Sequence, residues 1–102
     1  MLNTVQPDYV FGDRMIFITL SKLRKKPTKE SMAQANKIFE QMVKGGSKII
    51  GQYWTLGRYD TVNIIEGKDE KSALRNALRW GDMISTETLV AIPREEAVKL
   101  VE

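Results

Sequence analysis

Five breaks made by glycine and proline decide what this chain can become. Pro27, the pair Gly45-Gly46, Gly57, Gly81 and Pro93 cut it into short pieces. Between the breaks the hydrophobic period alternates between about two and about 3.6 residues, so the fold has to mix strands with helices. Met15–Leu23, rich in β-branched and aromatic residues, reads as a strand that Pro27 ends. Thr28 is an N-cap, and Met32, Ala35, Phe39, Met42 and Val43 recur at helical spacing up to Gly45-Gly46. Strands over 47–56 and 60–66, joined through Gly57-Arg58-Tyr59, are close enough to form an antiparallel hairpin. Asp69 caps a second helix with the stripe Ala73, Leu74, Ala77, Leu78 and Trp80, and Gly81 closes it. A fourth strand covers 84–92, and a short helix follows over 94–101. The order βαββαβ predicts an α+β, ferredoxin-like sandwich with a short C-terminal helix.

One domain is expected over 15–102, because 102 residues cannot bury two useful cores. Residues 1–14 lack a sustained period and hold Pro7, Asp8, Gly12 and Asp13, so they read as an extension, loosely ordered unless Tyr9, Val10 and Phe11 dock. No apolar run is long enough for a membrane span or a secretory segment, and the composition points to a cytoplasmic protein without a membrane partner.

Two missing residue types narrow the chemistry further. Without Cys there is no thiolate nucleophile and no Cys-held metal; without His the commonest general base and metal ligand are gone. Glu66, Asp69, Glu70, Asp82 and Glu87 do not fall at metal-ligand spacing, so neither a metal nor a cofactor is expected. Charge is uneven: residues 1–60 carry 10 basic and 5 acidic side chains, with five cations packed into 22–29. Lys22, Arg24, Lys25, Lys26 and Lys29 could bind phosphate or simply be a solvated loop. No aromatic interleaves them, so nucleic acid is not an expected partner.

The strands also bear on partners. Ile16, Ile18 and Leu20 fill one parity of the first strand while Met15 and Phe17 fill the other. Two helices cover only one face of a four-stranded sheet, so a second copy of the chain is the simplest cover for the other.

The segment Gly51-Gln-Tyr-Trp-Thr-Leu-Gly-Arg-Tyr-Asp-Thr-Val62 resembles the signature of the GYD-domain family, with Gly57, Tyr59 and Asp60 supplying the three letters and Arg58 inserted. The likeness extends to Trp80-Gly-Asp and to Ser85-Thr-Glu-Thr-Leu-Val-Ala-Ile-Pro93, and spans roughly 15–102. It implies a ferredoxin-like subunit pairing into a dimeric α+β barrel, and no particular reaction. Barrel dimers of this kind include ligand-sensing domains of transcription regulators, cofactor-independent monooxygenases, isomerases and haem enzymes; here the usual haem ligand is missing.

Gly57-Arg-Tyr-Asp60 is the one stretch with a claim to chemistry. In a structural role Gly57 supplies a turn, Asp60 bonds backbone amides at the strand start, Tyr59 packs on the sheet and Arg58 pairs with a carboxylate. In a binding role Arg58 clamps an anion and Tyr59 donates at the mouth of a cavity. If Val62 and Ile64 face the helices, then Tyr59, Thr61, Asn63 and Ile65 face away, together with Thr19, Ser21, Tyr53, Thr86 and Thr88. Arg58, Tyr59, Asn63, Tyr53, Thr86 and Thr88 would then line a small cavity between paired sheets. Trp54 and Trp80 read as core or interface anchors. The expected function is a non-enzymatic homodimer, or an assembly of dimers, holding a small ligand between its sheets. The alternative is a cofactor-independent enzyme of monooxygenase or isomerase type.

Overall fold

A computed structural model describes residues 14–101. Strands β1 (Met15–Leu23), β2 (Lys48–Trp54), β3 (Thr61–Gly67) and β4 (Ile84–Ala91) form one antiparallel sheet in the order β2-β3-β1-β4. Helix α1 (Lys29–Lys44) joins β1 to β2, and α2 (Glu70–Arg79) joins β3 to β4. A one-turn helix α3 (Arg94–Ala97) and a 3₁₀ turn at Val98–Leu100 follow β4. The βαββαβ order and the central β1 make the fold ferredoxin-like, as the breakers and periods predicted. The suggested docking of Tyr9, Val10 and Phe11 lies outside the described residues.

Both long helices start on reciprocal caps. Ser31 N donates to Thr28 Oγ1 at 3.0 Å while Thr28 N donates to Ser31 Oγ at 2.8 Å. Asp69 and Ser72 repeat the pattern at α2. Each cap satisfies amides that the first turn leaves unpaired.

The core lies between the helices and one face of the sheet. Phe17, Ser21, Asn63 and Ile65 point into it and are buried, and Ile38, Met42 and Trp80 meet them from above. Phe39 packs edge-on against Trp80, with ring centroids 5.0 Å apart. Helix α2 approaches through Ala73, Asn76, Ala77 and Trp80, and Asn76 Nδ2 donates to Ser47 Oγ at 3.0 Å. That row departs from the expected stripe: Leu74 and Leu78 are 60% and 71% exposed. They sit one position on from Ala73 and Ala77, roughly 100° around the helix, and the small alanines take the sheet contact instead. On α1, Ile38 and Met42 are buried while Met32 and Val43 are exposed.

The register corrects the expected strand parity. Phe17 pairs with Ile65, Thr19 with Asn63 and Thr88, and Ser21 with Thr61 and Thr86, so these side chains share the covered face. Ile16, Ile18, Leu20, Val62, Ile64 and Leu89 share the opposite face, away from α1 and α2. Asn63, Thr86 and Thr88 therefore look toward the helices, the reverse of the expectation. The helices bring their own apolar atoms, which lets the sheet place hydroxyls and an amide beneath them. In β2 a bulge between Ile49 and Gly51 shifts the alternation, setting Ile49 and Trp54 on the covered parity and Tyr53 on the open one.

Candidate functional site

The β2–β3 loop is fastened at both ends. Thr55 N donates to Asp60 O at 2.8 Å, and the Thr55 hydroxyl donates to Tyr59 O at 2.7 Å. Asp60 N donates to Ser21 O at 2.8 Å, and Asp60 Oδ2 accepts from Leu23 N at 2.8 Å. Asp60 thus carries the pairing with β1 past the last ladder position by one backbone and one side-chain bond. Gly57 sits at φ +108°, a conformation that a side chain would strain. Its neighbours Leu56 and Arg58 project into solvent.

Tyr59 crosses to the open face, where its hydroxyl donates to Glu87 Oε1 on β4. That bond holds the phenol above its usual pKa; loss of hydration and the carboxylate's charge act in the same direction, and Arg58 opposes them. Arg58 makes no ion pair among the described residues. Its guanidinium lies 5.8 Å from the centre of the Tyr59 ring, near the outer limit of a cation–π contact. The carboxylate expected beside Arg58 is instead bonded by Tyr59. Glu87 was missed because its link to Tyr59 depends on β4 lying beside β1, a pairing that local spacing does not reveal. At the other end of the open face Arg14 Nε meets Glu66 Oε2 at 2.9 Å. The aliphatic patch is therefore bounded by two partnered carboxylates.

The covered face holds the larger opening. A cleft of about 540 Å³ lies between α1, the 24–27 loop and the β2–β3 end of the sheet. Its apolar walls include Met32, Phe39, Trp54, Trp80 and Met83, and Thr61, Asn63 and Gln52 present polar groups from the sheet. Lys25, Lys26 and Asp82 add charge. A second cavity of about 20 Å³, room for roughly one water, lies deeper against Thr19, Asn63 and Thr88.

The six expected ligand contacts thus divide between two places. Asn63 borders the cleft, Thr88 borders the small cavity beside it, and Thr86 shares their face. Arg58 and Tyr59 belong to the loop at the open face. Tyr53 stands opposite Val62 on the edge strand, exposed, close to Gly51 and bordering the cleft. Sequence reasoning did not find the cleft. Its walls come from two loops, one long helix and four strands, and Trp54 and Trp80, read from the sequence as core or interface anchors, gave no pointer to it. No group of three metal-ligating side chains gathers among the described residues, and no described helix is long and apolar enough to cross a membrane.

Comparison with known proteins supports the fold. The crystal structure of MtbAldR superposes with a TM-score of 0.50 at 11% identity, covering 78% of this chain and 52% of that one. The chain therefore spans about half the length of that neighbour, and the likeness extends to fold alone. A nipsnap family protein of unknown function from Agrobacterium tumefaciens gives a TM-score of 0.44 at 13% identity, covering 81% of this chain and 91% of that one. No curated protein matches the chain. The GYD domain model matches residues 15–101, which contain the Gly57, Tyr59 and Asp60 loop, all four strands and both long helices, and the chain belongs to the GYD domain family.

Proposed function

We propose that this protein is a self-associating, small-ligand-binding module in which two copies pair their open sheet faces, and the cleft beneath α1 holds the ligand. The observation that carries this reading is the row Ile16, Ile18, Leu20, Val62, Ile64 and Leu89 on the face away from α1 and α2. Left in water, that row would forgo roughly 25 cal/mol for every Å² of apolar surface that pairing would bury. A solvent-facing sheet normally alternates toward polar residues on such a face. The ligand is placed under α1 and not between sheets, because the amide and hydroxyls look toward the helices. The cleft combines apolar walls with polar side chains from α1, the sheet and the flanking loops, a mixture that suits a small molecule with both kinds of surface.

Native mass spectrometry of gently purified protein tests both halves of the reading. A dimer, or a multiple of dimers, carrying a retained small mass is the expected result. A monomer at micromolar concentration by sedimentation would overturn the pairing.

A further inference from the structure

Taking the cleft as the ligand site proposed above, the geometry points to the ligand's chemistry: an amphipathic anion, with an apolar chain or ring system buried under α1 and a carboxylate or phosphate at the 24–27 loop. The interior supports the apolar body. Phe39, Trp54, Trp80 and Met83 come from three segments, α1, β2 and the connection before β4, and offer ring faces and thioether for an apolar body. The rim supports the anionic head. Lys25 and Lys26 border the opening, and Lys22, Arg24 and Lys29 crowd the same loop.

Among the described residues none of these five cations is held in an ion pair, whereas Arg14 and Lys99 are. Asp82 is the one carboxylate on the lining, so cations outnumber anions there. The cluster that reads from sequence as either a phosphate site or a solvated loop thereby gains a specific task. It would hold the head group of a molecule whose body lies in the cleft. Two lysine ammoniums accept carboxylate and phosphate alike, since neither offers the fixed fork of arginine.

The chain supplies its own reporter, because both of its tryptophans, Trp54 and Trp80, line the cleft. Tryptophan emission of the full chain is followed while decanoate, decyl phosphate, decan-1-ol or decylamine is added, each below its micelle concentration. The expected result is saturable change with decanoate or decyl phosphate at concentrations about tenfold lower than with decan-1-ol, the size expected of two exposed charge contacts. The better of the two anions then names the head group. Lys25→Glu/Lys26→Glu should erase the anion's advantage and leave the alcohol's binding unchanged. Lys71→Glu, on the far helix, should alter neither, and far-UV circular dichroism checks that each variant folds. Equal binding of alcohol and anion, or tighter binding of decylamine, would overturn the anionic head while the cleft stands. Unchanged emission with all four probes would overturn the cleft itself.

Discussion

The two faces of this sheet differ in what they carry. The face beneath α1 and α2 mixes Phe17 and Ile65 with Thr19, Ser21, Thr61, Asn63, Thr86 and Thr88, whereas the opposite face carries Ile16, Ile18, Leu20, Val62, Ile64 and Leu89 between Glu66 and Glu87. In a simple two-layer sandwich the covered face would be the greasy one. Here the helices contribute Ile38, Phe39, Met42 and Trp80, so the covered layer needs less aliphatic surface from the strands and can accommodate a cleft. The open layer receives no such help. That row of aliphatic side chains is the ground on which we propose self-association on this side of the sheet and ligand binding on the other.

Adjacent residues of β1 give the strongest test of that contrast. Phe17 faces the helices and Ile18 faces away. Phe17→Ala should cost the fold about 3–5 kcal/mol in denaturant unfolding through a cavity in the core. Ile18→Lys should leave circular dichroism intact yet weaken self-association by about two to three orders of magnitude in sedimentation, because an unpaired ammonium would be buried at the pairing face. If instead Ile18→Lys unfolds the chain while leaving association intact, the faces have been assigned the wrong way round.

A smaller effect is expected at the loop. Asp60→Ala removes the acceptor of Leu23 N and should lower stability by about 1–3 kcal/mol, with Asp60→Asn recovering part of the loss because its amide oxygen can still accept. Thermal unfolding of the two variants side by side decides this.

The smallest effect concerns Tyr59. Spectrophotometric titration should find one phenol ionising above the ordinary 10.0, and Glu87→Gln should bring it down. Because the folded pKa is the raised one, the Tyr59–Glu87 bond supports the fold below pH 10.0 and its support is lost as pH rises through the folded value. No response to Glu87→Gln would mean that the bond does not form in solution.

Most of the architecture could be read from punctuation and period. Thr28 and Asp69 announced the two helix starts, Gly57 announced the hairpin, and Pro93 the end of the last strand. Facing direction was harder. An aliphatic row such as Ile16, Ile18 and Leu20 looks like core in any single strand, and nothing local says whether helix or partner will cover it. The bulge near Ile50 adds one residue to β2 and so breaks simple counting along that strand. Leu74 and Leu78 misled for a related reason, since α2 offers two adjacent rows and the alanine row packs closer. The GYD loop gave its positions but not its bonds: Asp60 reaches Leu23 and Tyr59 reaches Glu87, separations of 37 and 28 residues.

The central place of β1 bears on how the chain comes together in time. Its two neighbours are β3 and β4, and none of the 24–60 segment pairs with it except through Asp60 at the loop's end. A nascent β1 therefore has no strand to pair with until residues 61–67 have emerged, and its second edge stays open until 84–91 arrive. Such distant pairing slows folding, since loop closure must precede any gain from contact. During that wait the strand, apolar on both parities at Met15–Ile18, is available to other chains. Holding it, whether by a chaperone or by a rapidly formed α1, would govern how much of the newly made protein reaches its native state.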